Sequence, residues 1–300
     1  MPRSDIQYRG RFAPSPTGPL HLGSLIAALA SYLDARHCNG SWLVRMEDLD
    51  PPREEPGAAD SILYSLQCHG LHWDENILYQ STRTSAYVAA LTTLANRSNL
   101  FFCDCTRAAL STSGACQGNC RAPQAKTSGP AAVRISVPRE QDILFIDRLQ
   151  GSEHTLLGQS LKDFVIKRKD KLYAYQLAVV VDDAEQGVTH VVRGSDLLDL
   201  TPRQIFLQQC LDYPTPRYCH LPVITTSQGQ KFSKQNHAPA LDNSMAHSNL
   251  LCALRFLHQC EPPAALASVE QLLAYAIEHW SLEQVPAVSS IPAASIGLSA

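Results

Sequence analysis

The apolar positions of this 300-residue chain fall into short runs separated by turn residues, and their period changes along the sequence. Residues 6–12, Ile-Gln-Tyr-Arg-Gly-Arg-Phe, read as a strand. From Ser24 to about Arg36, apolar residues occupy most faces of a helical period, with Ser24 as the expected cap. Trp42–Met46 is a short run apolar enough to be buried on both sides, closed by Glu47-Asp48-Leu49-Asp50 and Pro51-Pro52. Strand, helix and strand of these lengths predict a right-handed βαβ unit. Helices are predicted over 54–69 and 82–97.

Periodicity is lost from about 101 to 132, where cysteine, glycine, serine and proline dominate. That stretch reads as an inserted subdomain or a metal-held loop. Asp163–Tyr175 alternates around a polar turn and predicts a hairpin. Leu177–Val181 is an apolar run ending in Asp182-Asp183, which read as turn or strand-end acids outside any site. Val188–Val192 predicts a further strand, ending in Arg193-Gly194-Ser195-Asp196. A helix is expected from about Pro202, since proline suits a first helical turn. Residues 220–225 predict a last short strand, and 247–280 read as helical. The Pro/Ala/Ser-rich tail from Val285 is expected to fray. There is no internal repeat.

Composition changes the picture in three places. Hydrophobic residues at 45% and charged residues at 18% fit a globular chain. No apolar run approaches a bilayer-spanning length, and the N-terminus lacks an apolar signal core. The expectation is therefore cytoplasmic, with ten cysteines that stay reduced. A net charge of −3 weakens a nucleic-acid reading, although local fields decide that question. The basic group Lys162, Lys167, Arg168, Lys169 and Lys171 reads either as a solvated hairpin face or as RNA phosphate contacts.

Four cysteines are crowded: Cys103-x-Cys105, ten residues, then Cys116-x3-Cys120. Four thiolates can close a tetrahedral zinc site with no open position, holding a loop-rich segment that has no core of its own. Reduced core or surface thiols, or a redox pair, are the alternatives.

The richest stretch is Arg11-Phe-Ala-Pro-Ser-Pro-Thr-Gly-Pro-Leu-His-Leu-Gly-Ser24, between the first strand and the first helix. Its prolines and Gly18 hold an irregular loop, and His21 and Gly23 fall in the first helical turn. An imidazole and bare backbone N–H groups are thereby set against a phosphate. A second phosphate-handling element, Lys231-Phe-Ser-Lys-Gln235, follows the last predicted strand. Arg11, at a strand's C-terminal end, has a fork suited to a carboxylate, and Glu47 ends another strand, where it can hold an ammonium.

Taken together, the two elements resemble the HIGH-type and KMSKS-type motifs of class I aminoacyl-tRNA synthetases. The form Arg-Phe-Ala-Pro-Ser-Pro-Thr-Gly-x-Leu-His is similar to the glutamyl type. Glu47-Asp48, Tyr175 and Val191–Asp196 also match, so the resemblance covers roughly residues 8–240. Ser24 departs from the pattern, where histidine is usual, as do Phe232 and Gln235 in the lysine loop.

The resemblance implies an α/β fold: a Rossmann-type parallel-sheet catalytic domain with a zinc-bearing insertion, a short C-terminal helical part and no anticodon-binding domain. The expected divisions are 1–75 and 166–240 for the two catalytic halves, 76–165 for the insert, and 241–300 for the helical part. It also implies ATP-dependent activation of L-glutamate to glutamyl-adenylate, with His21 and Lys234 catalytic. ATP would meet His21, Gly23, Ser24, Lys231 and Lys234, with Mg accompanying it. Glutamate would be surrounded by Arg11, Phe12, Ala13, Pro14, Ser15, Glu47, Tyr175 and Arg193. A matching zinc site places structural zinc on Cys103, Cys105, Cys116 and Cys120.

After Lys234 only 66 residues remain, fewer than the helical anticodon-gripping domain of the glutamyl family occupies. Shortness and zinc together resemble a branch that activates glutamate without tRNA. That branch esterifies glutamate to the queuosine base at the wobble position of tRNA(Asp), so the implied partner is the queuosine-containing anticodon stem-loop, met by a monomer. Two alternatives stay open: a minimal glutamyl-tRNA synthetase charging a tRNA 3′ end, and a non-catalytic zinc-bearing RNA-binding paralogue.

Overall fold

The structure, a computed structural model, describes residues 7–97, 100–112, 114–122, 124–139, 141–226 and 239–296. Its elements in chain order are β1 (Arg9–Phe12), α1 (Leu22–His37), β2 (Ser41–Met46), α2 (Ala58–Cys68), β3 (Leu78–Tyr79) and α3 (Thr84–Arg97). Then come β4 (Leu100–Cys103), β5 (Ala132–Ile135), β6 (Asp142–Asp147), β7 (Gly151–Leu156), β8 (Phe164–Lys167) and α4 (Tyr175–Glu185). The chain continues with β9 (His190–Gly194), α5 (Thr201–Leu211), β10 (Arg217–Leu221), β11 (Val223–Thr225), α6 (Ala246–Phe256), α7 (Val269–Glu278) and β12 (Ser290–Pro292).

Strands β1, β2 and β3 form one parallel ladder, and β9 and β10 form another. The ladders abut where β9 lies beside β1. There the Thr189 N–H donates to the Arg9 carbonyl at 3.0 Å, and the Arg9 N–H donates to Thr189 Oγ1 at 2.8 Å. The strands thus run β10, β9, β1, β2, β3.

Because side chains alternate across a sheet, each strand feeds two cores. Phe12, Trp42, Val44, Met46, Val192 and Cys219 pack in the layer that holds α1, α6 and α7. Val191 and Tyr218 pack in the opposite layer with α3, α4 and α5, and Arg11 and Arg45 point the same way. The apolar surface of α1 is wide because the helix is covered on most sides. Even its Asp34 is buried, accepting hydrogen bonds from Tyr8, Arg148 and Trp280.

Several sequence-based expectations give way here. The apolar run Leu177–Val181, whose closing acids read as turn or strand-end residues, is the middle of helix α4, buried on every side, and Asp182 and Asp183 lie inside that helix. An apolar run of that length fits a buried helix as well as a buried strand. The predicted hairpin over 163–175 keeps its first limb as β8 and its turn, with the Arg168 N–H donating to the Leu172 carbonyl at 2.8 Å. Its second limb shrinks to a bridge at Tyr173, and Tyr175 opens α4 instead. The tail does not simply fray, because Ser290–Pro292 pairs in parallel with β11. Between 132 and 161, strands β5, β6 and β7 occupy a stretch for which no element was predicted. Sheet β4–β5–β8 and hairpin β6–β7 are antiparallel.

The βαβ turn between α1 and β2 has little tolerance. A Cβ on Gly40 would lie 2.5 Å from the Tyr8 carbonyl oxygen, which itself accepts from the Ser41 N–H. Backbone cannot swing aside as a flexible side chain can. Gly40→Ala is therefore expected to lower unfolding free energy by about 1–3 kcal/mol. An unchanged urea midpoint would refute that.

Candidate active site and metal cluster

The loop after β1 is irregular but pinned. The Glu47 N–H donates to the Pro14 carbonyl at 2.9 Å and the Glu55 N–H to the Pro16 carbonyl at 3.0 Å. Leu20 is tied to Leu241 through a backbone bond of 2.9 Å, and His21 forms a bridge with Ala240. This loop forms one wall of a cleft of about 470 Å³ over the C-terminal ends of β1 and β9. Ligands of open α/β sheets bind in that position.

Ten of the predicted residues line the cleft: Arg11, Phe12, Ala13, Pro14, Ser15, His21, Gly23, Ser24, Tyr175 and Arg193. Lys231 and Lys234 lie outside the described residues. The buried Glu47 carboxylate lies outside that lining, 3.4 Å from Arg45 Nη2.

The N-terminus of the 16-residue helix α1 contributes to the lining through His21, Gly23 and Ser24. Its cap is His21, not Ser24: the Ser24 N–H donates to His21 Nδ1 at 3.2 Å, and Ser24 lies inside the helix. The predicted cap was one turn too late because a histidine can fill that role through its ring nitrogen. Gly23 keeps the approach open, since a Cβ there would lie 3.1 Å from the His21 ring. Aligned N–H groups at such a terminus favour an anion.

The lining also includes two buried arginines, Arg11 and Arg193, in different electrostatic circumstances. Arg11 donates through Nε to Asp183 Oδ1 at 3.1 Å and through Nη2 to Oδ2 at 3.4 Å. Arg45 Nη1 donates to the same Oδ1 at 2.7 Å. Asp183, set aside in the sequence reading as an acid outside the site, is therefore the counter-charge beneath it. Burial would raise its carboxyl, but Arg11 and Arg45 prevail and hold it below the usual carboxylate range. Glu47 goes the other way, because burial pushes it up by more than Arg45 and Arg11 pull it down. Burial and the nearby Glu47 charge also raise the Tyr175 phenol, so its hydroxyl stays protonated and able to donate.

Arg193 has no such counter-charge among its hydrogen-bond partners. Its Nε donates to His220 Nε2 at 3.0 Å, and its Nη2 to Thr201 Oγ1 at 2.8 Å. Its Nη1 is buried without a hydrogen-bond partner. A buried guanidinium held by neutral acceptors, on a residue that lines the cleft, suits an anionic ligand group. The sequence reading did not single out Arg45 or His220, and it left Asp183 outside the site.

Away from the cleft, β4 delivers Cys103 to a cluster with Cys105, Cys116 and Cys120, whose sulfurs all lie within 4.8 Å of one another. The Cys105 sulfur is 3.8 Å from that of Cys116 and 3.5 Å from that of Cys120. Tetrahedral Zn–S bonds of about 2.3 Å place sulfurs about 3.8 Å apart, so the cluster fits a closed zinc site. Burial and the neighbouring cysteines push the Cys120 thiol up to about 12, so a bound cation would be needed to hold four thiolates together. Lys169 Nζ donates to the carbonyls of Asp104 and Cys105 at 2.7 and 2.8 Å, tying this loop to the turn after β8. For Lys169, then, the contact is with protein backbone.

The family profile described as "tRNA synthetases class I (E and Q), catalytic domain" matches residues 7–249. The chain is similar to the Glutamyl-Q tRNA(Asp) synthetase of Pseudomonas fluorescens, at 49% identity over 96% of this chain and 97% of that protein. The protein of the same name from Neisseria meningitidis serogroup A is 50% identical over 93% of this chain and 97% of its own length. In fold, the chain resembles a glutamate-tRNA synthetase from Elizabethkingia anophelis, with TM-score 0.79, 23% identity, and coverage of 95% of this chain and 68% of that one. No described helix is long and apolar enough to cross a membrane. With the sheet, the capped helix and the profile match in agreement, the chain belongs to the class I tRNA synthetases of the E and Q group.

Proposed function

We propose that this protein activates L-glutamate with ATP, without tRNA, and transfers the glutamyl group to the queuosine base at the wobble position of tRNA(Asp). The observation that carries the first half is a single cleft lined both by the α1 N-terminus and by the buried cationic side chains of Arg11 and Arg193. Likeness to the Glutamyl-Q tRNA(Asp) synthetases over 97% of their length supports the second half.

In the first step an oxygen of the glutamate α-carboxylate attacks the α-phosphorus of ATP, a P–O bond forms, and pyrophosphate leaves with the electron pair of the broken bond. In the second, a hydroxyl of the queuosine base attacks the acyl carbon, gives up its proton, and AMP leaves. Little covalent chemistry falls to the protein, so positioning and preorganised donors do most of the work.

His21, Gly23 and Ser24 would meet the nucleotide, with Lys231 and above all Lys234 following the charge of the leaving pyrophosphate. Arg11, Tyr175 and Arg193 would hold glutamate, with Phe12, Ala13, Pro14 and Ser15 shaping its walls and Glu47 biasing the site toward an ammonium. Mg would enter with ATP. Cys103, Cys105, Cys116 and Cys120 would hold one structural zinc. The same reading divides the chain into catalytic halves at 1–75 and 166–240, an insert at 76–165 and a C-terminal part at 241–300, in a cytoplasmic monomer.

Exchange of labelled pyrophosphate into ATP, driven by glutamate alone, tests activation; no exchange at any glutamate concentration would refute it. Labelled glutamate and nuclease mapping of the tRNA test the acceptor. Label on the 3′-terminal fragment, rather than the anticodon fragment, would favour a minimal glutamyl-tRNA synthetase.

A further inference from the structure

We propose that His220 and Asp147 are positioning residues for Arg193, fixing the orientation of its guanidinium in the wall of the cleft that takes glutamate. The proposal rests on the glutamate reading above. Arg193 and His220 are direct partners in the β9–β10 ladder, so their side chains lie together on one face of the sheet. His220 and Asp147 are both at most 1% exposed, and neither lines the cleft.

The hydrogen bonds set the tautomer. Asp147 Oδ1 accepts from the backbone N–H groups of Leu149, Gln150 and His220 at 3.0, 2.9 and 3.1 Å. Its Oδ2 is 2.6 Å from His220 Nδ1. Burial alone would raise this carboxyl, but the hydrogen bonds from His220 and the backbone hold it at about 2. An ionised carboxylate only accepts, so the imidazole proton sits on Nδ1. Burial disfavours a charged ring and pushes His220 below its ordinary value, leaving Nε2 with a lone pair.

That lone pair accepts from Arg193 Nε at 3.0 Å, with Thr201 Oγ1 3.1 Å away and itself accepting from Arg193 Nη2. The Tyr218 ring completes the surroundings, under the Arg193 guanidinium at 5.4 Å. One edge of the fork is thereby fixed, and Nη1 is left unpartnered. The other tautomer would set an Nε2–H against the Arg193 Nε–H, donor against donor, and turn the guanidinium away. A carboxylate that fixes a histidine tautomer in this way acts through the group the histidine holds.

The test is glutamate-driven pyrophosphate exchange by the full chain. Asp147→Asn keeps the volume but turns an amide N–H toward Nδ1, favouring the wrong tautomer. His220→Phe removes the acceptor, and His220→Gln restores a polar group near the Nε2 position. The first two are expected to raise KM for glutamate roughly tenfold or more, with KM for ATP within about twofold of wild type. His220→Gln should recover most of the loss. Folded Asp147→Asn and His220→Phe with wild-type glutamate KM would overturn the proposal, as would His220→Gln as impaired as His220→Phe. Should the variants not fold, nitrogen-15 NMR of histidine in the wild-type protein gives the answer: a neutral Nδ1–H ring is expected at pH 7, and an Nε2–H ring or an imidazolium overturns it. Absence of exchange in the wild type would instead sink the glutamate reading, and leaves the NMR result to judge the relay.

Discussion

Asp183→Ala is expected to cost about 3–5 kcal/mol of stability and to abolish measurable glutamate activation. The carboxylate accepts from Arg11 at 3.1 Å and from Arg45 at 2.7 Å on one oxygen, with Arg45 fully buried and Arg11 only 3% exposed. Removing it leaves two guanidinium groups facing each other with little water. The other nearby acid, Glu47, stands 3.4 Å from Arg45 Nη2 and does not bridge the two arginines as Asp183 does. Loss of an uncompensated partner costs far more than the pair contributes, because the charge left behind stays desolvated. Arg11 would also lose its fixed orientation in the cleft wall, and function would fall with stability. The pH dependence follows in sign. Asp183 is depressed below the usual carboxylate range, so its contribution is full above that range and is lost as pH falls through the lowered value. Urea unfolding between neutral and acid pH should show a shallower acid limb in Asp183→Ala than in wild type. A loss under about 1 kcal/mol at neutral pH would mean the two arginines are hydrated enough to do without it.

The residues of this cleft differ in how visible they were in the sequence. Arg11 through Ser24 were legible because the determinants are local: a strand end, prolines and a glycine, then a helix start. Asp183 was not, because it meets Arg11 across 172 residues and its run of five apolar neighbours carries no face to tell helix from strand. One signal was available: acids directly following such a run are buried along with it, and buried acids need partners. Asp147 and His220 offered less still, one lying in a stretch with no predicted element and the other one of eleven histidines. His21 was legible as part of the turn that opens α1, while its duty as the cap of that helix went to Ser24 because residue preferences at that position rank serine first. The cysteine cluster was legible because spacing within one short segment limits geometry directly.

Cys105→Ser is expected to release the metal and loosen the loop from Cys103 to Arg121, while leaving glutamate activation largely intact. The Cys105 sulfur lies 3.8 and 3.5 Å from those of Cys116 and Cys120, within a cluster whose four sulfurs are all within 4.8 Å of one another. The Cys105 carbonyl also accepts from Lys169 Nζ at 2.8 Å, so the loop is anchored to the turn after β8 at a residue that would carry the metal. Around the cluster there is little else to hold the fold, since among the described residues between Cys105 and Cys120 only Ala115 is a buried apolar group and the helical elements are short turns. Binding energy of a structural zinc, about 10–16 kcal/mol in small zinc peptides, is then folding energy for that loop. The cluster does not line the cleft, so exchange should stay within about threefold of wild type if the zinc is structural. Metal analysis should find one zinc per wild-type chain and little in Cys105→Ser, with protease cleavage appearing first between 103 and 121. Cys252→Ser, far from the cluster in sequence and in a helix, should keep its zinc. Wild-type protein that binds no zinc, or Cys105→Ser that retains it with an unchanged cleavage pattern, would refute the assignment. Collapse of exchange in Cys105→Ser with the rest of the fold intact would show that the loop reaches the chemistry after all.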